Sequence, residues 1–375
     1  MTARLFGRIG ALWVLIIAAT YIGSLGGTSL DRAVINGLIL MTVGVGISIF
    51  VGTSGVFSFG HIAFMAIGGY TAAILTMSDR QQGLQLDELP NLVGDVRLNP
   101  VAATIVAGCV AAIVAAVVAI PLMRLGGLAA SLATVALLIT VRVVFQNWER
   151  FTRGNRGLIL DATRPSRESI LVWCLIAVAV AAVFRVSPIG RRLAASREDE
   201  PAARALGVRV WWERGVAWVL SAFIVGVGGA LFALFFRNIN PDSFYISLTF
   251  TVLAMLVVGG LKSLSGAVVG AITLTVVLET LREVERGMSI GGWEIPSRNG
   301  VSELGLATVL LLILITRPDG LLGVRELRLP ARATAVFSKG GSVTGSAPDE
   351  TPVSPDSPES HDSPEAPDGH PAIDR

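Results

Sequence analysis

The sequence has few charged residues for its length. Only 15% of its 375 residues are Asp, Glu, Lys or Arg, whereas 52% are hydrophobic. Soluble domains carry about 25% charged residues, so this composition excludes a single soluble core and predicts an all-α polytopic membrane protein. The net charge of +2 is too small to indicate a nucleic-acid partner.

Residues that hold metals or perform covalent catalysis are also scarce. There are 2 cysteines and 3 histidines. Cys109 and Cys174 lie in apolar runs, where a thiol behaves as a small hydrophobic group. His61 is the one histidine before the C-terminal tail, and no carboxylate cluster accompanies it. We therefore expect no disulfide, metal, cofactor or catalytic site.

A phosphate-binding loop is absent as well. The chain has no G-x-x-x-x-G-K-[ST] sequence, the motif whose backbone and lysine hold the phosphates of ATP. The chain is thus not expected to be an ATPase. If ATP drives its activity, the hydrolysis belongs to a separate chain.

Long hydrophobic runs dominate what is present. About 20 apolar residues cross a bilayer, and ten candidate helices meet this requirement: 10–28, 33–52, 55–77, 99–123, 127–146, 169–187, 215–236, 245–261, 264–281 and 301–316. The first is interpreted as an uncleaved helix because further spans follow it. An even count puts both termini on one side, and the arginines beside the first and last spans predict that this side is cytoplasmic.

One loop violates the rule that positive charge stays inside. Residues 147–168 fall outside by parity yet hold five arginines: Arg150, Arg153, Arg156, Arg164 and Arg167. A re-entrant segment upstream would explain this. The candidate is 55–77, because its Gly, Ser and His residues make a poor lipid-facing helix.

The apolar signal ends near residue 333. We assign 1–333 to a transmembrane domain and predict that 338–375, which is acidic and rich in proline, is a disordered cytoplasmic tail. Such a tail is expected to be dispensable, because it has too few apolar residues to offset the entropy of ordering.

A charged, Ala-rich loop at 187–214 interrupts the hydrophobic pattern. Glu200 precedes a proline, which disfavours helical geometry, so the chain is expected to break near Asp199 or Glu200. A stub helix from Pro201 to Leu206 should follow, with acidic residues at its positive end and Gly207 as its left-handed stop. Ala202, Ala203 and Leu206 would form a small apolar face suited to a groove in a partner. The alternative is a solvated loop with no docking role.

Several polar groups fall within the predicted spans. Ser58, His61 and Tyr70 lie in the third segment, where polar groups require partners or a water-filled path. They are therefore candidates for the translocation path, although His61 pinning a bent helix is the alternative. Arg142 and Glu279 lie near span ends and are expected to reach the interface by snorkelling.

Six segments in order resemble the LivM-type permease subunit of branched-chain amino-acid ABC importers, covering about 50–323. These are SFGHIAFMAIGGYTAA, LATVALLITVRVVFQNW followed by TRGNRGL, GRRLAASREDEPAARALGV, NPDSF, VVGGLKSLSGAVVGA and RPDGLLG. Within the third, the pattern resembles the loop by which such permeases engage their ATPases, through Gly190, Arg197, Glu198, Asp199, Glu200, Ala202, Ala203, Leu206 and Gly207.

The resemblance implies an alternating-access pore in the bacterial inner membrane. The partners it implies are a LivH-like sister permease, two ATPase subunits and an extracytoplasmic binding protein, with the protein surrounded by membrane lipid. Branched-chain amino acids are the expected cargo. Urea, short amides and aromatic acids remain alternatives, because relatives with a similar scaffold import them. An ion-coupled secondary transporter using His61 is the alternative from another class.

Overall fold

The computed structural model describes residues 2–25, 27–86, 96–286, 289–290, 293–294, 300–317 and 319–323. All belong to the unit Met1–Pro330. The predictions about the tail 338–375 and about the arginines after residue 323 fall outside the described residues.

Helices account for nearly all of this part of the chain. They are α1 Thr2–Ser24, α2 Thr28–Ser54, α3 His61–Thr76, α4 Asp79–Gln85, α5 Pro100–Leu122, α6 Gly127–Asn147, α7 Glu149–Thr152, α8 Arg167–Val186, α9 Pro188–Glu198, α10 Glu200–Ala205, α11 Val210–Phe236, α12 Ile246–Gly259, α13 Leu264–Arg286 and α14 Val301–Thr316. Short 3-10 turns occupy Gly154–Arg156 and Pro241–Phe244. Strands β1 Leu158–Ile159 and β2 Asn238–Ile239 pair antiparallel, as do β3 Ser289–Ile290 and β4 Trp293–Glu294.

Every predicted span overlaps one of these helices. Within the described residues, eight helices are long and apolar enough to cross a membrane, and the third and tenth segments supply shorter apolar helices. The all-α polytopic fold is confirmed. The 16 residues of α3 measure about 24 Å at 1.5 Å per residue, less than the roughly 30 Å hydrocarbon core.

The third segment is a broken crossing rather than a re-entrant loop. Its non-helical start, 55–60, is bound to α6: Phe59 N–H donates to Thr134 Oγ1 over 3.1 Å. Gly55 packs against Arg197 of the charged loop. Beyond the other end of α3, Ser78 N–H donates to Asp161 over 3.2 Å. The two ends therefore lie at opposite ends of the bundle, which favours a crossing over the re-entrant interpretation.

These contacts define two ends of the bundle. One end holds the loop 187–214 and the α12–α13 turn, where Arg185 donates to the Lys262 carbonyl over 3.0 Å, and we call it the coupling end after the role expected of that loop. The opposite end holds 149–166, where Gln81 donates to Ile159 and Arg237 to Leu160. The arginine-rich segment 147–168 thus lies at the end opposite the coupling end. Its departure from the positive-inside rule therefore does not result from a third segment that fails to cross the bundle.

Helix α11 forms the centre of the bundle and packs on α2, α3 and α5. Its glycines permit this, because a Cβ at Gly228 would meet Val43 of α2 and one at Gly229 would meet the Met65 backbone of α3. Small residues allow such close approach where lipid removes the hydrophobic drive for association. Gly228 and Gly229 therefore allow α11 to pack closely against α2 and α3.

Candidate functional site

The charged loop folds into two short helices rather than one. Ser187 caps α9 by accepting from Gly190 N–H over 3.1 Å, with Pro188 in the first turn. Asp199 then caps α10 by accepting from Ala202 N–H over 2.9 Å. A Ser or Asp cap followed by proline is a standard helix start. The sequence reasoning identified the second start and missed the first, although Ser187-Pro188 carries the same signal.

The break and the stop occur where the sequence predicts them. Helix α9 ends at Glu198 and α10 spans Glu200–Ala205. Gly207 has φ +82°, a conformation that side chains rarely adopt, and its N–H bonds the Arg204 carbonyl over 3.0 Å. The prediction of a stub helix ended by this glycine is confirmed.

Gly190 follows the sixth predicted span, where a glycine would be expected to let the chain leave that span, but its role in the structure is different. It lies inside α9 and is buried, rather than releasing the chain from the preceding span. A Cβ there would collide with the Phe184 carbonyl oxygen of α8. The glycine is needed because α9 turns back closely on the end of α8.

Ion pairs and hydrogen bonds attach α9 to the membrane helices. Arg197 Nη1 donates to the Gly52 carbonyl of α2 over 2.7 Å, and its Nη2 lies 2.7 Å from Glu198 Oε1. Lys262 Nζ in the α12–α13 turn lies 3.7 Å from the same oxygen. The hydrogen bond from Arg197 and then the charge of Lys262 lower the pKa of Glu198. Lys262 was not identified from the sequence, where it is one cation in a Gly-rich segment.

Glu200 attaches α10 to the central helix. Its carboxylate lies 2.5 Å from Arg204 and 2.8 Å from Arg214 of α11, whose side chain is 8% exposed. Burial opposes ionisation of Glu200, but the hydrogen bonds and charges of the two arginines outweigh it and lower the pKa. The stabilisation from these pairs is thus present above the carboxyl's ordinary pKa, and it is lost as the pH falls through the lowered folded-state pKa.

The apolar face of α10 differs from the expected one at Ala203. That residue is only 5% exposed and packs within this chain, so it is not available to a partner. Ala202 is exposed, and Leu206 at the end of α10 is 86% exposed. The accessible apolar surface of the stub therefore consists of Ala202 and Leu206, with Ala203 holding the helix in place.

Ser58 and His61 form one buried unit at the start of α3. His61 Nδ1 lies 2.7 Å from Ser58 Oγ, and both residues are almost fully buried. The imidazole is enclosed by the rings of Phe50, Phe64 and Trp218, the last with its centroid 4.5 Å away. Neither residue faces lipid. This enclosure favours the structural interpretation, in which His61 pins the break between 55–60 and α3.

Tyr70 is also enclosed, nearer the opposite end. It is 3% exposed and its ring contacts Phe145 of α6 and Phe244 at centroid distances of 4.8 and 6.3 Å. Ser58, His61 and Tyr70 therefore do not form one cluster. Tyr70 shares its surroundings with the 3-10 turn Pro241–Phe244 instead.

Arg142 pairs with an acid rather than simply reaching water. Its Nε and Nη2 lie 2.8 and 2.6 Å from Asp242 Oδ1, and its guanidinium lies 4.1 Å from the Tyr245 ring centroid. A guanidinium group can donate two hydrogen bonds to a carboxylate and can also stack on the face of an aromatic ring. The snorkelling prediction for Arg142 was incomplete, because the partner lies 100 residues away in sequence.

Glu279 lines a charged cavity at the opposite end. The residue is 8% exposed and therefore does not snorkel. The cavity, about 480 Å³, is bounded by α2, α11, α13 and the segment before α8; its charged lining comprises Arg32, Arg164, Glu279 and Arg282, and its aromatic lining Phe235 and Phe236. Its volume lies within the range of roughly 300–1,000 Å³ typical of small-molecule sites. The sequence could not predict this cavity, because its lining residues come from four separate segments.

The burial of His61 yields a testable expectation. In a variant whose two cysteines are replaced by serine, a His61→Cys thiol should resist a small water-soluble methanethiosulfonate reagent, because the aromatic rings exclude water. In the isolated chain, a Leu206→Cys thiol should react at once, since that side chain is exposed. Rapid modification at position 61 would show that it borders a water-filled path.

Comparison with known proteins agrees with this architecture. A family model described as "Branched-chain amino acid transport system / permease component" matches residues 29–315. The LivM permease protein of the high-affinity branched-chain amino acid transport system of Escherichia coli K12 is 29% identical over 353 residues, covering 85% of this chain and 75% of that protein. The Salmonella typhimurium LivM is 28% identical over 357 residues, covering 86% and 76%.

A more distant relative is a probable LivH permease of Methanocaldococcus jannaschii, 25% identical over 251 residues, which cover 64% of this chain and 76% of that protein. The family match includes the helices that pack around α11 and the whole loop 187–214. The chain therefore belongs to the family of permease components of branched-chain amino acid transport systems.

Proposed function

We propose that this chain is a pore-forming permease subunit of an ATP-driven importer for branched-chain amino acids. The observation that carries the proposal is the construction of the loop 187–214, whose two helices are tied to α2, α11 and the α12–α13 turn. A surface loop fixed to three membrane elements suits the transfer of force from a docked motor. A merely solvated loop needs no such attachments.

The remaining assignments follow from this function. The chain lacks a phosphate-binding loop, so ATP hydrolysis belongs to the two separate ATPase subunits, one of which docks at the coupling end of this chain through Ala202 and Leu206 of α10. That end is cytoplasmic, as are both termini, and the membrane is the bacterial plasma membrane. Residues 1–333 constitute the permease domain and 338–375 a tail outside it. A sister permease completes the pore, and a binding protein delivers the cargo at the opposite end.

Reconstitution tests the function directly. The chain, purified with its co-expressed sister permease and ATPases and placed in proteoliposomes with the binding protein, should accumulate leucine when ATP is supplied on the coupling side. A protonophore should leave this uptake unchanged. Uptake that needs no ATPase subunit and collapses with the proton gradient would instead establish an ion-coupled transporter.

The charged cavity supports an amino acid as cargo. Its arginines suit a carboxylate, Glu279 suits an ammonium group, and Phe235 and Phe236 suit an apolar side chain. Urea and short amides carry no charge for these groups to bind. Aromatic acids lack the ammonium group, so the full set of lining residues fits a zwitterion with an apolar side chain best.

Neutralising the cavity should slow transport. In the reconstituted complex at saturating binding protein, the double variant Arg32→Gln/Arg164→Gln should lower leucine uptake at least about tenfold, since the loss of even one charge-assisted bond, about 1.5–3 kcal/mol, corresponds to a tenfold change or more. Arg80→Gln is the matched control, because Arg80 is exposed on α4 at the same end and outside the cavity. Equal uptake rates in both variants would contradict a cargo role for the cavity.

A further inference from the structure

Two adjoining cavities of opposite character lie beside the coupling loop. One, which we call the arginine cup, has a volume of about 620 Å³ and is lined by Arg124, Arg204, Arg209 and Arg214 with Trp211. The other, the apolar groove, has a volume of about 570 Å³ and runs between α5 and α11. Trp211 lines both, so the two adjoin at this side chain.

The arginine cup holds more positive charge than this chain neutralises. Arg204 and Arg214 share the carboxylate of Glu200. Within the described part of the chain, no ion pair or side-chain hydrogen bond joins Arg124 or Arg209 to another residue, and both are exposed. Four guanidinium groups around one carboxylate favour an anionic occupant, and guanidinium forks match the geometry of phosphate.

The apolar groove has the dimensions of a hydrocarbon chain. Its walls include Ala112, Ala116, Val219 and Phe223, and Trp211 and Trp212 stand at its mouth. From Leu122, the end of α5, to Ala112 is ten residues, or about 15 Å along the helix at 1.5 Å per residue. The groove therefore extends from the membrane interface, where tryptophan is enriched, into the hydrocarbon region.

We propose that the arginine cup and the apolar groove together bind one anionic glycerophospholipid. Its phosphate occupies the cup and an acyl chain lies in the groove. Basic pockets beside membrane helices on the cytoplasmic side are suited to such headgroups. A soluble ATPase could supply an acidic residue to the cup but cannot enter the membrane-embedded groove. A helix of another permease could fill the groove, but such a helix need not carry an anionic group for the cup. An anionic phospholipid has both a phosphate for the arginine cup and an acyl chain for the apolar groove.

The bound lipid would act on the coupling loop. Arg204 belongs to α10 and Arg209 follows its glycine stop, so a phosphate held by both fixes the stub helix relative to α5 and the membrane surface. We therefore expect ATP hydrolysis by the complex to depend on anionic lipid. The dependence should disappear when the cup or the groove is altered.

The test uses the complete complex in nanodiscs. Native mass spectrometry of wild-type complex should retain phosphatidylglycerol, and Arg124→Gln/Arg209→Gln should reduce that retention about tenfold. Ala116→Trp should reduce it too, because the indole fills the groove without changing charge. Arg191→Gln is the matched control, as Arg191 is an exposed arginine of α9 outside the cup. Raising phosphatidylglycerol from none to a third of the lipid should stimulate wild-type ATP hydrolysis severalfold and leave the first two variants unchanged.

Three results would overturn the proposal. Equal phosphatidylglycerol retention by wild type and both variants would place the lipid elsewhere. Dissociation of the ATPase from Arg124→Gln/Arg209→Gln in lipid-free detergent would identify the cup as a protein contact. Loss of the sister permease from Ala116→Trp, with lipid retention unchanged, would identify the groove as a protein interface.

Discussion

Replacing Leu206 by Asp is expected to lower ATP hydrolysis stimulated by loaded binding protein at least about tenfold, with membrane insertion unchanged. Leu206 is 86% exposed at the end of α10, so the substitution costs the isolated chain little. At a protein contact, however, it would bury an unpaired carboxylate, a penalty of about 2–5 kcal/mol. The measurement is hydrolysis by the reconstituted complex, together with the amount of ATPase that co-purifies.

Leu84→Asp is the control for this substitution. Leu84 is a leucine of α4 that is 72% exposed at the opposite end, so the chemical change is the same and the location differs. Normal assembly and stimulation in the Leu206→Asp complex would show that α10 does not dock the ATPase. Ala203→Asp would be a less specific test, because Ala203 is buried within the chain and its substitution would disturb the fold of the loop itself.

Gly229→Val should prevent the bundle from packing. A Cβ at Gly229 would overlap the Met65 backbone of α3, and backbone cannot yield as a flexible side chain can. We expect destabilisation of about 3 kcal/mol or more, the upper part of the usual range for overpacked sites. The measurement is the yield of monodisperse permease in detergent and its midpoint of thermal unfolding.

Gly215→Val provides the comparison within the same helix. Nothing lies within 4 Å of a Cβ at Gly215, so the added methyl groups have room. This variant should keep nearly the wild-type yield and unfolding midpoint. If Gly229→Val behaved the same way, the close approach of α11 and α3 would not contribute to stability.

The sequence predicted those features that depend on short stretches of chain. The spans follow from runs of apolar residues, and the stub helix follows from Asp199, Pro201 and Gly207, which lie within a stretch of nine residues. Capping, the pre-proline restriction and left-handed stops are local effects, so an isolated segment carries the whole signal. The surroundings of Arg142 and Glu279, which the sequence did not predict, are built from distant segments.

Ala203 and Glu279 illustrate the difference. The helical pattern puts Ala203 on the same small face as Ala202, but which side of that face turns inward depends on where α11 lies. The position of Glu279 near a span end is compatible with snorkelling. In the folded chain, however, α2 and the segment before α8 enclose Glu279 in a cavity. Both outcomes depend on packing between elements far apart in sequence.

By itself, the sequence determined that this chain is a helical membrane protein, which regions form its long apolar helices, and that the loop at 187–214 is charged and broken at Asp199. Only the tertiary structure decided that α3 is a buried crossing, that Arg197, Glu198 and Glu200 attach the loop to three membrane elements, and that Arg142 meets Asp242. The physical reason is that apolar content and backbone preference act along the chain, whereas ion pairs and burial depend on which distant helices become neighbours.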